Sequence, residues 1–219
     1  MHTSFRNTEY NNSPAFVIHN AFVKEHCEKL IELYKDKTQA ATHVHKDQTV
    51  SSDYDGSPRK SEVCWVDDEA TYKRCWDMML AANSMTGWNF NITSQEQLQF
   101  TKYEGEGKYD WHTDGFCDAR AKRYFSFDAP SNLSATNYPN LIDTTRKLSC
   151  SVLLNDDFSG GEFDTAFVDT DPLELKKQEI KPKQGDMILF PSYLPHRVRP
   201  VRVGTRYSLV LWFAGPPLV

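Results

Sequence analysis

Three residues and their spacing carry the first chemical signal. His112-Thr-Asp114 places an imidazole and a carboxylate two positions apart. On a strand, residues i and i+2 face the same way, so His112 and Asp114 are expected to project together and Thr113 to turn aside. A second histidine, His196, follows 82 residues after Asp114 in Phe190-Pro-Ser-Tyr-Leu-Pro-His-Arg-Val198. Two imidazoles and one carboxylate hold a metal while leaving coordination positions open. That set suits a redox-active Fe(II) that must also bind a cosubstrate and O₂. Taken alone, H-x-D is weak evidence, because His and Asp are ordinary surface residues. Of the seven histidines, His2, His19 and His26 have no such constellation, and His43 and His45 read as solvated.

Ten residues after His196 comes Arg206, in Gly204-Thr-Arg-Tyr-Ser-Leu-Val-Leu-Trp-Phe213. As a strand, this segment puts Arg206, Ser208, Val210 and Trp212 on one face, and Tyr207, Leu209, Leu211 and Phe213 on the other. An arginine facing a barrel interior needs an anion, because an unpaired buried charge is costly. A dicarboxylate could supply one through a bidentate contact, and so could an internal Asp or Glu.

With these residues in view, the chain resembles the Fe(II)- and 2-oxoglutarate-dependent dioxygenases, in particular their prolyl 4-hydroxylase-like branch. The H-x-D…H…R order is matched by its flanks. Phe100-Thr-Lys-Tyr-Glu-Gly-Glu-Gly-Lys-Tyr-Asp-Trp-His-Thr-Asp114 is similar to the branch's tyrosine, glycine-rich turn and H-x-D segment. Gly160-Gly-Glu162, Lys183-Gln-Gly-Asp-Met-Ile-Leu-Phe-Pro191 and His196-Arg-Val-Arg-Pro200 resemble its later motifs. The resemblance covers about Arg59 to Phe213.

The resemblance implies that His112, Asp114 and His196 hold Fe(II) as the catalytic centre. It implies that 2-oxoglutarate meets Arg206 through its far carboxylate, with Ser208 and Tyr103 assisting. Arg146, Trp212 and Trp65 become candidate substrate residues. O₂ would be the second cosubstrate, with ascorbate as a candidate reductant. The reaction implied is hydroxylation of an unactivated C–H, of a prolyl residue in a peptide or protein, with release of succinate and CO₂. Two alternatives stay open: the same chemistry on a free amino acid or other small molecule, and a non-oxygenase metal-dependent cupin-like enzyme or binding module. One departure stands out. Some relatives place a tyrosine on the strand before Asn155, whereas this strand reads Ser151-Val-Leu-Leu-Asn155.

The elements that must position these residues follow from periodicity. Ala15–Ile18 reads as a short strand, and about Val23–Lys35 as a helix with Cys27, Leu30, Ile31 and Tyr34 on one face. A polar stretch, Asp36 to Lys60, reads as a loop. A second helix is expected from an N-cap at Asp67, with Tyr72, Trp76, Met79, Leu80 and Asn83 as its stripe and an end near Gly87. Eight strands follow: Gln97–Glu104, Tyr109–Asp114, Leu148–Asn155, Gly161–Val168, Leu173–Ile180, Asp186–Phe190, His196–Val201 and Thr205–Phe213. Gly115–Arg146 breaks the rhythm and reads as a lid, a binding loop or a disordered insertion. The fold class is therefore mainly β with flanking helices. The strand count suggests a jelly roll, and the resemblance implies a double-stranded β-helix of the cupin-like kind. A single domain is expected over 1–219, with helical support at about 15–90 and the β core at about 97–213.

Composition bounds the rest. Hydrophobic residues make up 39% of 219, enough for a core. A net charge of −5 disfavours a globally basic nucleic-acid binder, so no nucleic-acid partner is expected. No apolar run approaches the ~18 residues of a membrane span. Five scattered cysteines without C-x-x-C spacing suggest reduced thiols and a cytoplasmic protein.

Overall fold

The computed structural model describes residues 14–41, 43–44, 50–51, 57–115, 141, 143–170 and 173–218. Most strands lie in two antiparallel sheets that face each other across a cavity. The larger sheet runs Phe16–Ile18, Met187–Pro191, Thr145–Leu153, Thr205–Gly215, Leu98–Glu104, Glu62–Val66 and Gln39–Ala40. The smaller runs Leu173–Ile180, Phe163–Thr170, His196–Val198, Lys108–His112 and Arg59–Lys60. The chain passes repeatedly between the sheets: Leu98–Glu104, Thr145–Leu153, Met187–Pro191 and Thr205–Gly215 lie in the larger, and Lys108–His112, the hairpin Phe163–Thr170 with Leu173–Ile180, and His196–Val198 in the smaller. This is the expected double-stranded β-helix with helices packed outside.

Two helices cover the outer face of the larger sheet. Helix α1 (Lys24–Tyr34) buries Cys27 and Leu30. Helix α2 (Glu69–Met85) buries Thr71, Cys75, Met78, Met79, Ala82 and Asn83. They enclose the main core with Phe100, Leu148, Cys150, Leu209, Leu211 and Phe213. The predicted stripe of α2 is offset. Tyr72 and Trp76 only flank the core and Leu80 is exposed. One position is about 100° on a helix, so a small error in phase moves a residue from face to edge. The N-cap is Asp68, not Asp67, and its carboxylate accepts from the backbone N–H of Thr71 at 2.7 Å.

Several boundaries also shift. The strand expected at Leu148 begins at Thr145, so Arg146 lies in the sheet and not in a lid. The strand expected over His196–Val201 divides at Arg199-Pro200, where proline has no N–H to give. Glu62–Val66 is a strand that periodicity did not mark. Within the stretch read as a loop, Gln39–Ala40, His43–Val44, Val50–Ser51 and Arg59–Lys60 form short strands. Residues 42, 45–49 and 52–56 of that stretch, Cys117 and nearly all of the expected lid (116–140 and 142) lie outside the described residues. Among the described residues no helix is long and apolar enough to cross a membrane.

Candidate active site

The register of the larger sheet sets the cavity floor. Along Thr205–Gly215, Arg206, Ser208, Val210 and Trp212 line the cavity, while Leu209, Leu211 and Phe213 join the core beneath the helices. The alternation expected from sequence therefore holds. Arg206 pairs with Tyr103, Ser208 with Thr101, and Val210 with both Gln99 and Ser151.

On the opposing sheet, His196 and His112 are direct cross-strand neighbours, with ring centroids 4.1 Å apart. The strand ends at His112, so Asp114 does not sit on the same strand face. It lies in the bend beyond, where the N–H groups of Asp114 and Gly115 both donate to the Ser192 carbonyl. This bend still brings the carboxylate between the rings, 3.8 Å from Nε2 of His112 and 3.5 Å from Nε2 of His196. Each imidazole is oriented through its other nitrogen. Nδ1–H of His112 donates to the Asp110 carbonyl at 2.7 Å, and Nδ1–H of His196 to the Leu194 carbonyl at 2.9 Å. Both Nε2 lone pairs are thus left for a ligand, the tautomer that a metal requires.

The electrostatics favour the same state. Burial, then His196, pushes the His112 imidazole down to about 3, so it stays neutral. Burial opposes ionisation of Asp114, but His196, His112, Arg146 and a hydrogen bond from Ser149 outweigh it and hold the carboxyl well below the usual range. Two neutral imidazoles and one carboxylate, with ligand atoms all within 4.8 Å of one another, fit a divalent first-row metal. They are the one such cluster among the described residues.

Arg206 closes the other end. It is 1% exposed, its guanidinium carbon is 5.7 Å from the Tyr103 ring, and its Nε and Nη1 have no hydrogen-bond partner among the described residues. Gly161 makes room for it, since a Cβ there would come 2.9 Å from Cδ of Arg206. Tyr103 and Ser208 line the cavity beside it.

The candidate substrate residues separate. Trp212 lines the cavity, and its buried Nε1–H has no partner among the described residues. Arg146 stands behind it, with its guanidinium 3.7 Å from the Trp212 ring and Nη2 donating to Glu96 at 2.6 Å. Trp65 is 39% exposed and pairs in register with Gln99, outside the cavity. Two further wall residues lie in segments that the resemblance covers but had no role of their own there. Arg59 lies 4.8 Å above the Tyr109 ring, and Tyr109 in turn stacks on His112 at 3.4 Å. Gln99, Glu96 and Ser149 were likewise unmarked, because single polar residues in strands form no motif.

The sequence profile of the 2OG-Fe(II) oxygenase superfamily matches residues 98–214, more than half of the chain. The chain belongs to that superfamily. The matched span of this oxygenase holds both histidines, Asp114 and Arg206. It is 29% identical over 116 residues to a PKHD-type hydroxylase of Stenotrophomonas maltophilia, covering 52% of this chain and 41% of that one. It is 43% identical over 77 residues to human prolyl 3-hydroxylase 2, covering 34% of this chain and 10% of the relative. The matches thus span about two fifths of the bacterial relative and a tenth of the human one. In fold, the oxygenase is similar to the viral collagen prolyl hydroxylase of Paramecium bursaria Chlorella virus-1, with TM-score 0.59 and 17% identity, covering 94% of this chain and 98% of that one. It is similar also to a Pseudomonas putida prolyl-4-hydroxylase, with TM-score 0.62 and 17% identity, covering 94% and 95%. At 17% identity these structural likenesses are likenesses of fold.

Proposed function

We propose that this oxygenase hydroxylates an unactivated C–H of a prolyl residue in a peptide or protein, consuming 2-oxoglutarate and O₂ and releasing succinate and CO₂. The observation that carries this reading is Arg206. A fully buried guanidinium without a partner among the described residues costs on the order of several kcal/mol. A site is built that way when an anion arrives to complete it. The same cavity ends at the His112–Asp114–His196 cluster, so its ligand would join a carboxylate at one end to a metal at the other. 2-Oxoglutarate has that form.

On this reading His112, Asp114 and His196 hold Fe(II), which when bound supplies O₂ activation coupled to cosubstrate decarboxylation. Arg206 binds the far carboxylate, with Tyr103 and Ser208 beside it. Phe163 and Phe190, 5.7 and 4.6 Å from the His196 ring, form apolar walls that keep water from the reacting atoms. Trp212 offers a buried N–H to an acceptor, and a peptide carbonyl meets that need. Arg59 presents further donors at the Tyr109 side of the cavity. The prolyl target is supported by the names of the relatives.

The test incubates the protein with Fe(II), 2-oxoglutarate, ascorbate to keep the iron reduced, and proline-containing peptides, with free L-proline as a separate arm. The expected result is peptide-dependent succinate release and addition of one oxygen to a prolyl residue by mass spectrometry. Oxygen addition to free proline alone would move the substrate to a small molecule.

A further inference from the structure

We infer that Gln99 is a binding residue for the keto-acid end of the cosubstrate, and that Thr101 positions it. The inference rests on the proposed function. Its starting point is a buried polar side chain in the wall of the cavity. Gln99 is 5% exposed and lines the same cavity as the triad and Arg206. Its Nε2 donates to Oγ1 of Thr101 at 2.8 Å, and Thr101 is itself fully buried. That bond uses one of the two amide hydrogens. The second N–H and Oε1 have no partner among the described residues. Gln99 lines the cavity with that end of its amide open, where a polar ligand can meet it.

Its place along the sheet says which part of the ligand. Cavity-facing residues on one strand are spaced by about 6.7 Å. The first row is Arg206 with Tyr103, and the second is Ser208 with Thr101. The third is Gln99 with Val210 and Ser151. The fourth is Trp212 with Ser149, and Ser149 hydrogen-bonds Asp114. The Gln99 row therefore lies between the anion end and the row that touches the metal cluster. Arg206 and Gln99 sit two rows apart, about 13 Å by that spacing, and the long arginine side chain together with the dicarboxylate it holds covers that span, which brings the keto-acid end toward Gln99. The free amide hydrogen then meets a carboxylate oxygen there, a charge-assisted hydrogen bond. Thr101 fixes the amide plane by engaging the first hydrogen.

The test needs no turnover. Protein loaded with Mn(II) is titrated with 2-oxoglutarate and, separately, with succinate, following tryptophan fluorescence or heat. Succinate lacks the keto group and is one carbon shorter, so Arg206 can hold it without Gln99. Gln99→Leu is expected to weaken 2-oxoglutarate binding about tenfold and to leave succinate within twofold, a split that general loss of structure would not give. Gln99→Glu should weaken 2-oxoglutarate further through like-charge repulsion. Thr101→Val keeps the amide but frees its orientation, and should cost 2-oxoglutarate about threefold with succinate unchanged. If Gln99→Leu binds Mn(II) normally and its 2-oxoglutarate affinity stays within twofold of wild type, the inference is overturned while the functional reading stands. A wild-type protein that binds no 2-oxoglutarate defeats both.

Discussion

The guanidinium of Arg146 lies against the indole of Trp212, 3.7 Å from its ring, while Glu96 holds it from the side. The three form one unit, and only Trp212 faces the cavity. Arg146 thus acts on the site through Trp212 and through its field on Asp114. All three are buried, so removing one charge strands the other. Glu96→Ala is expected to cost about 3 kcal/mol of stability by urea unfolding. It should also raise KM for the peptide more than KM for 2-oxoglutarate. A loss under 0.5 kcal/mol would show that the pair is not a structural unit.

Ser149 supports Asp114 from the larger sheet, and its hydroxyl also meets that of Ser192 at 2.9 Å. Groups behind a metal ligand fix its orientation. Ser149→Ala should lower Mn(II) affinity about tenfold, read by calorimetry, with a small change in melting temperature. Unchanged affinity would mean that the bend at Asp114 suffices alone.

Gly161 has φ +65°, and any Cβ there would meet Arg206 and Val201 at 2.9 Å. Gly161→Ala therefore displaces the guanidinium. The expected kinetic signature is a KM for 2-oxoglutarate raised more than tenfold with kcat changed less than threefold. The opposite pattern, a fall in kcat at unchanged KM, would contradict the role given to Arg206.

The start of α2 couples stability to pH. His26 Nε2 lies 2.9 Å from Thr71 Oγ1, and burial holds the imidazole below its ordinary value. The folded state therefore resists protonation while the unfolded chain accepts it at about pH 6.5. The stability is whole above that pH and is lost as pH falls below it. Asp68 is held low chiefly by the Thr71 N–H, and its contribution is lost only at more acid pH, below about 3.9. His26→Gln should flatten the decline in urea midpoint between about pH 6.5 and 5. Asp68→Ala should cost about 1 kcal/mol at pH 7. A wild-type midpoint that does not move between pH 8 and 5 would exclude the His26 effect.

Much of this site was legible in the residues, because strand alternation is a local property. The faces of Thr205–Gly215 follow from period two, and so does the opposition of Arg206 to the core residues around it. The H-x-D spacing pointed to the right partners for an incomplete reason. Asp114 joins His112 through a bend fixed by Ser192, a contact 78 residues away that no local pattern encodes. Arg146 was a substrate candidate through the resemblance, and nothing in its neighbourhood announces its ion pair with Glu96, fifty positions earlier. Gln99 and Ser149 were silent for a related cause: each acquires meaning from its row in the sheet. The offset in α2 has a different origin, since Tyr72 and Trp76 are large enough to shield the core from its edge.

The proposed function needs one cavity to join a metal held by His112, Asp114 and His196 to an anion held by Arg206. It is tested most directly by succinate formation from 2-oxoglutarate, with and without Fe(II), in wild type, His112→Ala and Arg206→Ala. Fe(II)-dependent succinate is expected from wild type and none from His112→Ala. For Arg206→Ala turnover is expected only at 2-oxoglutarate concentrations raised by about a hundredfold or more, the loss of a buried charge-assisted contact. Equal succinate from all three proteins would contradict it.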